Sequence, residues 1–267
     1  MVLNLNRHLL VFITTSLTLI SICLAGEVRP METDRPSKTE EVQTVEPHRI
    51  QLETELIGTQ LNRTTDAREE LTNVAELNMR LGLTHKSELG FIIPTYLDEK
   101  NSAQGKVTHR RGMGDLRIRY RYNFIGNEGE TFGVTVLPLI KVPSASAGLS
   151  NGRTEAGVIV PLKYKIDSNQ NLKSAIQVMR ESKEATDRWH TFWQTTLCYT
   201  RSLSDELQGF AELAASSYDD EVLISSTFDF GLMLKLREDL QLDYATYIGL
   251  AEIAEDYRHY IGISFKH

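Results

Sequence analysis

Gly112-Met113-Gly114-Asp115-Leu116-Arg117-Ile118-Arg119-Tyr120-Arg121-Tyr122-Asn123-Phe124 decides the fold. From Asp115 onward polar and apolar residues alternate without a break. Leu116, Ile118, Tyr120, Tyr122 and Phe124 fall on one face of a strand, and Asp115, Arg117, Arg119, Arg121 and Asn123 on the other. A helix would scatter the arginines around its circumference, so the period is two. The apolar face is either the core side of a soluble sheet or the lipid side of a membrane barrel whose arginines line the lumen.

Working outward, the same alternation recurs in about twelve segments from His48 to the C-terminus. Ile50, Leu52, Thr54 and Leu56 oppose Gln51, Glu53 and Glu55; Leu77, Met79 and Leu81 oppose Glu76, Asn78 and Arg80. Phe132 to Ile140, Ala156 to Tyr164, Trp189 to Tyr199, Phe228 to Leu234, Leu240 to Ile248 and Tyr257 to Phe265 follow the same rule. Asp66 to Leu81 and Ser204 to Ala214 could also be drawn as amphipathic helices, since short segments are ambiguous by period alone. Joins alternate long and short through the first two-thirds of the chain. Gln60–Leu71, Tyr96–Gly112 and Pro143–Arg153 are long, while Thr84–Ser87, Ile125–Glu130, Asp167–Asn171 and Ser202–Asp205 are short. Outer-membrane barrels have that asymmetry, and aromatic residues near the strand ends suit the two interfaces.

The N-terminus carries Arg7, His8 and an uncharged apolar run from Leu9 to Leu24, which predicts a cleaved signal peptide over residues 1–25. Ile22 ahead of Cys23 argues against a lipidated cysteine. Removing Arg7 from the 29 basic residues leaves 28 against 36 acidic ones, a net charge of about −8 that speaks against a nucleic-acid partner. Of the 2 cysteines only Cys198 remains, so no disulfide staples the exported chain. Residues 26–47 are acidic and aperiodic and read as a periplasmic segment ahead of a barrel over residues 48–267, with both termini periplasmic.

Thr33-Asp34-Arg35-Pro36-Ser37-Lys38-Thr39-Glu40, Gln51-Leu52-Glu53, the stretch from Gly112 to Tyr122 and Lys141-Val142-Pro143 resemble a family of outer-membrane barrels named for the meta-pathway of phenol degradation. The resemblance spans the mature chain and implies a transporter-like barrel for aromatic or other small hydrophobic compounds. The chain departs from it at the end, where Lys266 and His267 follow the aromatic Phe265.

The candidate binding residues are a ladder facing the lumen: Arg80, Arg117, Arg119, Arg121, Lys141, Lys163 and Lys165 with Glu76, Glu88, Asp115 and Glu155. Such charges either select solutes along a path or pair with one another and close the lumen. Asp34 and Arg35 are candidates for a plug, with Asp34 meeting the basic ladder. Lys100, Lys106, His109, Arg110 and Arg111 could hold lipopolysaccharide phosphate or be merely solvated. The expected partners are outer-membrane lipid, the barrel-assembly machinery and a small solute, with no cofactor. A closed barrel with a structural or adhesive role is the alternative. A lipid-modifying enzyme using Ser226 and His259 is a further one, although no nucleophile motif surrounds Ser226 and the histidines show no metal-ligand spacing.

Overall fold

The computed structural model describes residues 29–64, 66–183 and 188–267. The signal peptide expected over residues 1–25 lies outside them. The described chain is strand throughout its ordered elements: β1 (Ile50–Arg63), β2 (Ala67–Thr84), β3 (Ser87–Ala103), β4 (Lys106–Gly112), β5 (Leu116–Ile125), β6 (Phe132–Val142), β7 (Glu155–Lys165), β8 (Gln170–Lys183), β9 (Arg188–Ser202), β10 (Leu207–Tyr218), β11 (Ser225–Arg237), β12 (Leu240–Gly249) and β13 (Tyr257–Lys266). Both helix-or-strand ambiguities resolve as strand, in β2 and β10.

Every neighbour pairing is antiparallel, and β1 pairs with both β2 and β13, so the sheet closes on itself. β4 and β5 are two pieces of one wall strand, because β3 pairs its upper part with β4 and its lower part with β5. The wall is therefore a closed barrel of 12 strands. Closure removes the exposed edges that an open sheet would offer to other chains. Between the two pieces, Gly114 donates its N–H to Pro94 O at 2.9 Å. A Cβ there would stand 2.8 Å from the Pro94 ring, so the interruption needs glycine.

One end, the base, carries the tight turns between β2 and β3, β5 and β6, β7 and β8, β9 and β10, and β11 and β12. Ile50 and His267 exchange two backbone hydrogen bonds there, of 3.1 and 2.8 Å. The other end, the rim, departs from expectation. Gln60–Leu71 and Tyr96–Gly112 are not loops: β1 and β2 extend through the first to a tight turn, and β3 and β4 through the second. Their cross-strand pairing runs to Arg63↔Arg68 and Ala103↔Lys106, so the backbone groups satisfy one another without solvent. Pro143–Arg153 remains a loop.

Side chains divide as the alternation requires. Tyr120, Tyr122, Phe124, Ile140, Trp193, Leu197, Phe230, Leu232 and Ile261 are exposed on the outer face, while Glu53, Thr135, Glu212, Asp229 and Ser264 are buried inside. This is the inverse of a soluble domain and suits a barrel that has lipid as its outer solvent. Leu232→Arg on the outer face is expected to destabilise the barrel by about 2–4 kcal/mol in urea unfolding from lipid vesicles. Val107→Arg, on the hairpin beyond the ring, is expected to change it by less than about 0.5 kcal/mol.

Candidate functional site

Arg80 on β2, Gly90 on β3 and Arg119 on β5 are successive cross-strand partners, and Arg121 lies two residues along from Arg119. With no side chain at Gly90, the guanidiniums converge on one point in the lumen. Asp34, from the segment that precedes β1, occupies it. Its Oδ1 lies 2.7 Å from Arg121 Nη2 and 3.7 Å from Arg80 Nη1, and its Oδ2 lies 3.0 Å from Arg119 Nη2. It also accepts the Glu41 N–H and the Asn78 side-chain amide, at 3.0 and 3.3 Å. Burial alone would raise the Asp34 carboxyl, but Arg121, Arg80 and Arg119 hold it well below the usual range. Glu88 pairs with Arg80 at 2.8 Å and with Arg121 at 3.3 Å; Glu53 pairs with Arg80 at 3.0 Å. Glu40 pairs with Arg119 and, at 3.1 Å, with Arg121.

The rest of the segment is held in the same way. It enters at the base, turns near Ser37 and returns to β1. Glu41 reaches Lys163 at 3.3 Å and Lys173 at 3.1 Å, and Glu32 reaches Lys163 at 2.6 Å. Arg35 lies between Asp243 and Glu55, at 3.2 and 3.5 Å. The hydroxyls of Tyr247 and Tyr260 both donate to Pro36 O. Lys38 contacts Asp229 at 3.5 Å and Glu255 at 3.1 Å, and Thr39 donates to Glu212. Gln43 O accepts from Arg80 and Arg121, and Val42 O from Asn123 and Thr135. A segment with neither helix nor ladder thus has its backbone satisfied by lumen side chains. At the base Lys266 donates to Arg29 O and to Glu46, which gives a buried role to a residue that the ending of the chain made conspicuous.

Above this filling the lumen is open. A cavity of about 450 Å³ lies between the tip of the segment and the rim. Part of its lining is charged, but Leu139, Ile159, Met179 and Phe192 line it as well. The charged ladder read from the sequence is thus only part of the lumen, because β6 to β9 also turn apolar side chains inward. Leu137 and Leu139 flank Pro138 in a run that is apolar on both faces, which is the signal that strict alternation passes over.

The remaining ladder residues separate. Lys141 pairs with Glu155 at 3.0 Å and Asp115 at 3.3 Å. Asp115 lies just ahead of β5 at the rim, where it accepts the N–H groups of Ser144 and Ala145, both at 2.9 Å, and so holds the β6–β7 loop. Arg117 and Glu76 line the cavity, and neither they nor Lys165 makes a salt bridge among the described residues; Arg117 interacts with Glu181 and Glu76 with Arg258 at longer range. Glu32, Glu40, Glu41, Glu53, Lys173, Glu212, Asp229 and Asp243 carry as much of the cluster as the residues that the sequence singled out.

The basic hairpin is not free. Arg111 pairs with Asp98 at 2.8 Å, Arg110 with Glu99 at 3.4 Å and Lys100 with Glu70 at 3.7 Å. Ser226 and His259 are not brought together; His259 Nδ1 hydrogen-bonds Thr246 Oγ1 at 2.9 Å instead. The scattered histidines hid one grouping. His190 Nδ1 lies 3.0 Å from Asp220 and 3.6 Å from Asp219, although Arg180 also reaches Asp219, at 3.5 Å.

Residues 33–266 match the model of the family described as "Putative MetA-pathway of phenol degradation". The chain belongs to this family. Its fold is that of outer-membrane β-barrels, and the family resemblance read from Asp34-Arg35-Pro36 holds across the whole barrel. The COG4313 outer membrane channel from Pseudomonas putida F1 superposes with a TM-score of 0.67 at 12% identity, covering 87% of this chain and 99% of that one. The β domain of the Bordetella autotransporter BrkA gives 0.53 at 10% identity, over 81% and 98%, and the NanC porin 0.52 at 13%, over 80% and 98%. No curated protein sequence matches the chain significantly.

Asp34→Asn is expected to remove the carboxylate shared by three buried arginines, which keep only Glu40, Glu53 and Glu88, a loss of up to about 3–5 kcal/mol, the scale of a broken buried pair. Thr39→Cys in a Cys198→Ser background reads it out, since Thr39 is fully buried, and its thiol labelling is expected to rise at least tenfold. A second expectation concerns pH. Burial, opposed by Arg119 and aided by Asp34, pushes the Glu40 carboxyl up to about 7 from its ordinary 4.5. The seated segment therefore holds a proton that a released one gives up. Seating weakens as pH rises from about 4.5 to about 7, with no further loss above that. Labelling at Thr39→Cys, normalised to a surface cysteine, is expected to rise across that window, and Glu40→Gln to flatten it.

Proposed function

We propose that the protein is an outer-membrane channel for small solutes, with residues 29–49 acting as a plug. The observation that carries this is the division of the lumen into a base half filled by a chain segment and a rim half left as a cavity of about 450 Å³. A barrel built only as a scaffold has no need of a filling that is tethered at one end and ion-paired along its length. Tight turns and both ends of the described chain at the base support a periplasmic base and an external rim. The family name and the apolar cavity wall support a small solute that is aromatic or otherwise hydrophobic. The separation of Ser226 from His259 leaves the enzymatic reading without a pair of groups to act.

The hairpins of β1 to β4 that rise past the ring favour a second reading, a closed barrel with an adhesive role. Planar-bilayer conductance separates the two. The full barrel is expected to conduct weakly, and a variant lacking residues 29–46 to open steady channels. No conductance from that variant, shown to be folded by heat-dependent gel mobility, would overturn the channel reading.

A further inference from the structure

We propose that the rim cavity is a binding site for a small monocarboxylate with an apolar body. The inference rests on the channel reading for access from the rim. Cross-strand register builds the site in two rows. In the lower row Arg119, Leu139, Gly157, Met179, Phe192 and Tyr218 are successive partners from β5 to β10. Gly157 is needed here: a Cβ would overlap Met179 Sδ, so the thioether lies across the glycine and makes the wall continuous. Phe192 and Tyr218 extend it with ring centroids 5.2 Å apart. This wall is one of two apolar clusters in a lumen otherwise rich in ion pairs, and it faces the cavity.

The row above runs Arg117, Lys141 and Glu155, with Glu181 next to Arg180, the partner of Ala156, at the end of the β7–β8 pairing. Lys141 is taken by Glu155 and Asp115, and Glu181 accepts the Tyr218 hydroxyl at 2.9 Å. Arg117 is exposed to the cavity and makes no salt bridge among the described residues, although Glu181, already engaged by Tyr218, lies within reach of its charge. A planar guanidinium suits a carboxylate in two parallel hydrogen bonds. Arg35, Lys38, Arg119, Lys141 and Arg258 also line the cavity but each is ion-paired, so Arg117 is the cation there with no salt bridge among the described residues. With Glu40, Glu76, Glu155 and Glu181 on the same lining, it suits a single negative charge better than a dianion. An apolar body against Met179 and Phe192 with its carboxylate at Arg117 uses both rows. A neutral hydrocarbon uses one of them, and a small inorganic anion the other.

The test is calorimetric titration of the barrel in lipid nanodiscs with benzoate, benzyl alcohol and acetate. Benzoate is expected to bind at least tenfold more tightly than either of the others. Arg117→Gln is expected to weaken benzoate at least tenfold and leave benzyl alcohol unchanged, with Arg117→Lys recovering part of the loss. Equal affinity for benzoate and benzyl alcohol, or an Arg117→Gln barrel that binds benzoate as before, would overturn the site. The readout needs no passage through the barrel. Binding without conductance would overturn the channel and leave the site, and conductance without benzoate binding would do the reverse.

Discussion

Three guanidiniums enclosed by a barrel wall have to be neutralised, and Asp34 is where that happens. Arg80, Arg119 and Arg121 are nearly inaccessible to solvent, and ionised groups so enclosed cost several kcal/mol each unless paired. The strands supply Glu53 and Glu88, which are not enough. The balance comes from Asp34 and Glu40, residues outside the wall. Four carboxylates then face three guanidiniums, and burial, with the nearby Asp34 charge added to it, explains why Glu40 takes a proton so readily. The wall is therefore complete only with the preceding segment in place, and the segment holds its shape only because the wall supplies its partners.

The period-two pattern was enough to read the barrel, its closure and the sidedness of nearly every strand. It was enough because each strand has lipid on one side and a polar interior on the other, and a one-residue slip would exchange every side chain. The rim was misread for a related reason. Ala67 to Val74 and Leu97 to Gly112 lose the alternation while keeping the ladder, so a reading by period passes over them. The apolar wall escaped as well. Leu139, Ile159, Met179 and Phe192 are far apart in the chain, and only register makes them neighbours.

The charged cluster was legible in outline alone. Inward arginines and lysines could be counted from the sequence, and Asp34 stood out beside a basic interior. Which carboxylate meets which cation could not be read, because Glu41 with Lys173, Lys38 with Asp229 and Arg35 with Asp243 are pairs set by the path of an aperiodic segment. No local rule gives that path. It follows from where the wall leaves charge unpaired.

The two halves of the lumen are not independent. Asp34, Arg35, Ser37, Lys38 and Glu40 form the floor of the cavity, so anything bound there touches the tip of the segment. Arg119 belongs to both: its guanidinium binds Asp34 and Glu40, while its strand position continues the row of Leu139 and Met179. A negative charge brought to Arg117, two residues away on the same face, enters the field that keeps Asp34 and Glu40 in place. Occupancy of the cavity and seating of the segment are then linked through one set of charges, and any free energy that the ligand exerts on the segment must be returned by the segment on the ligand.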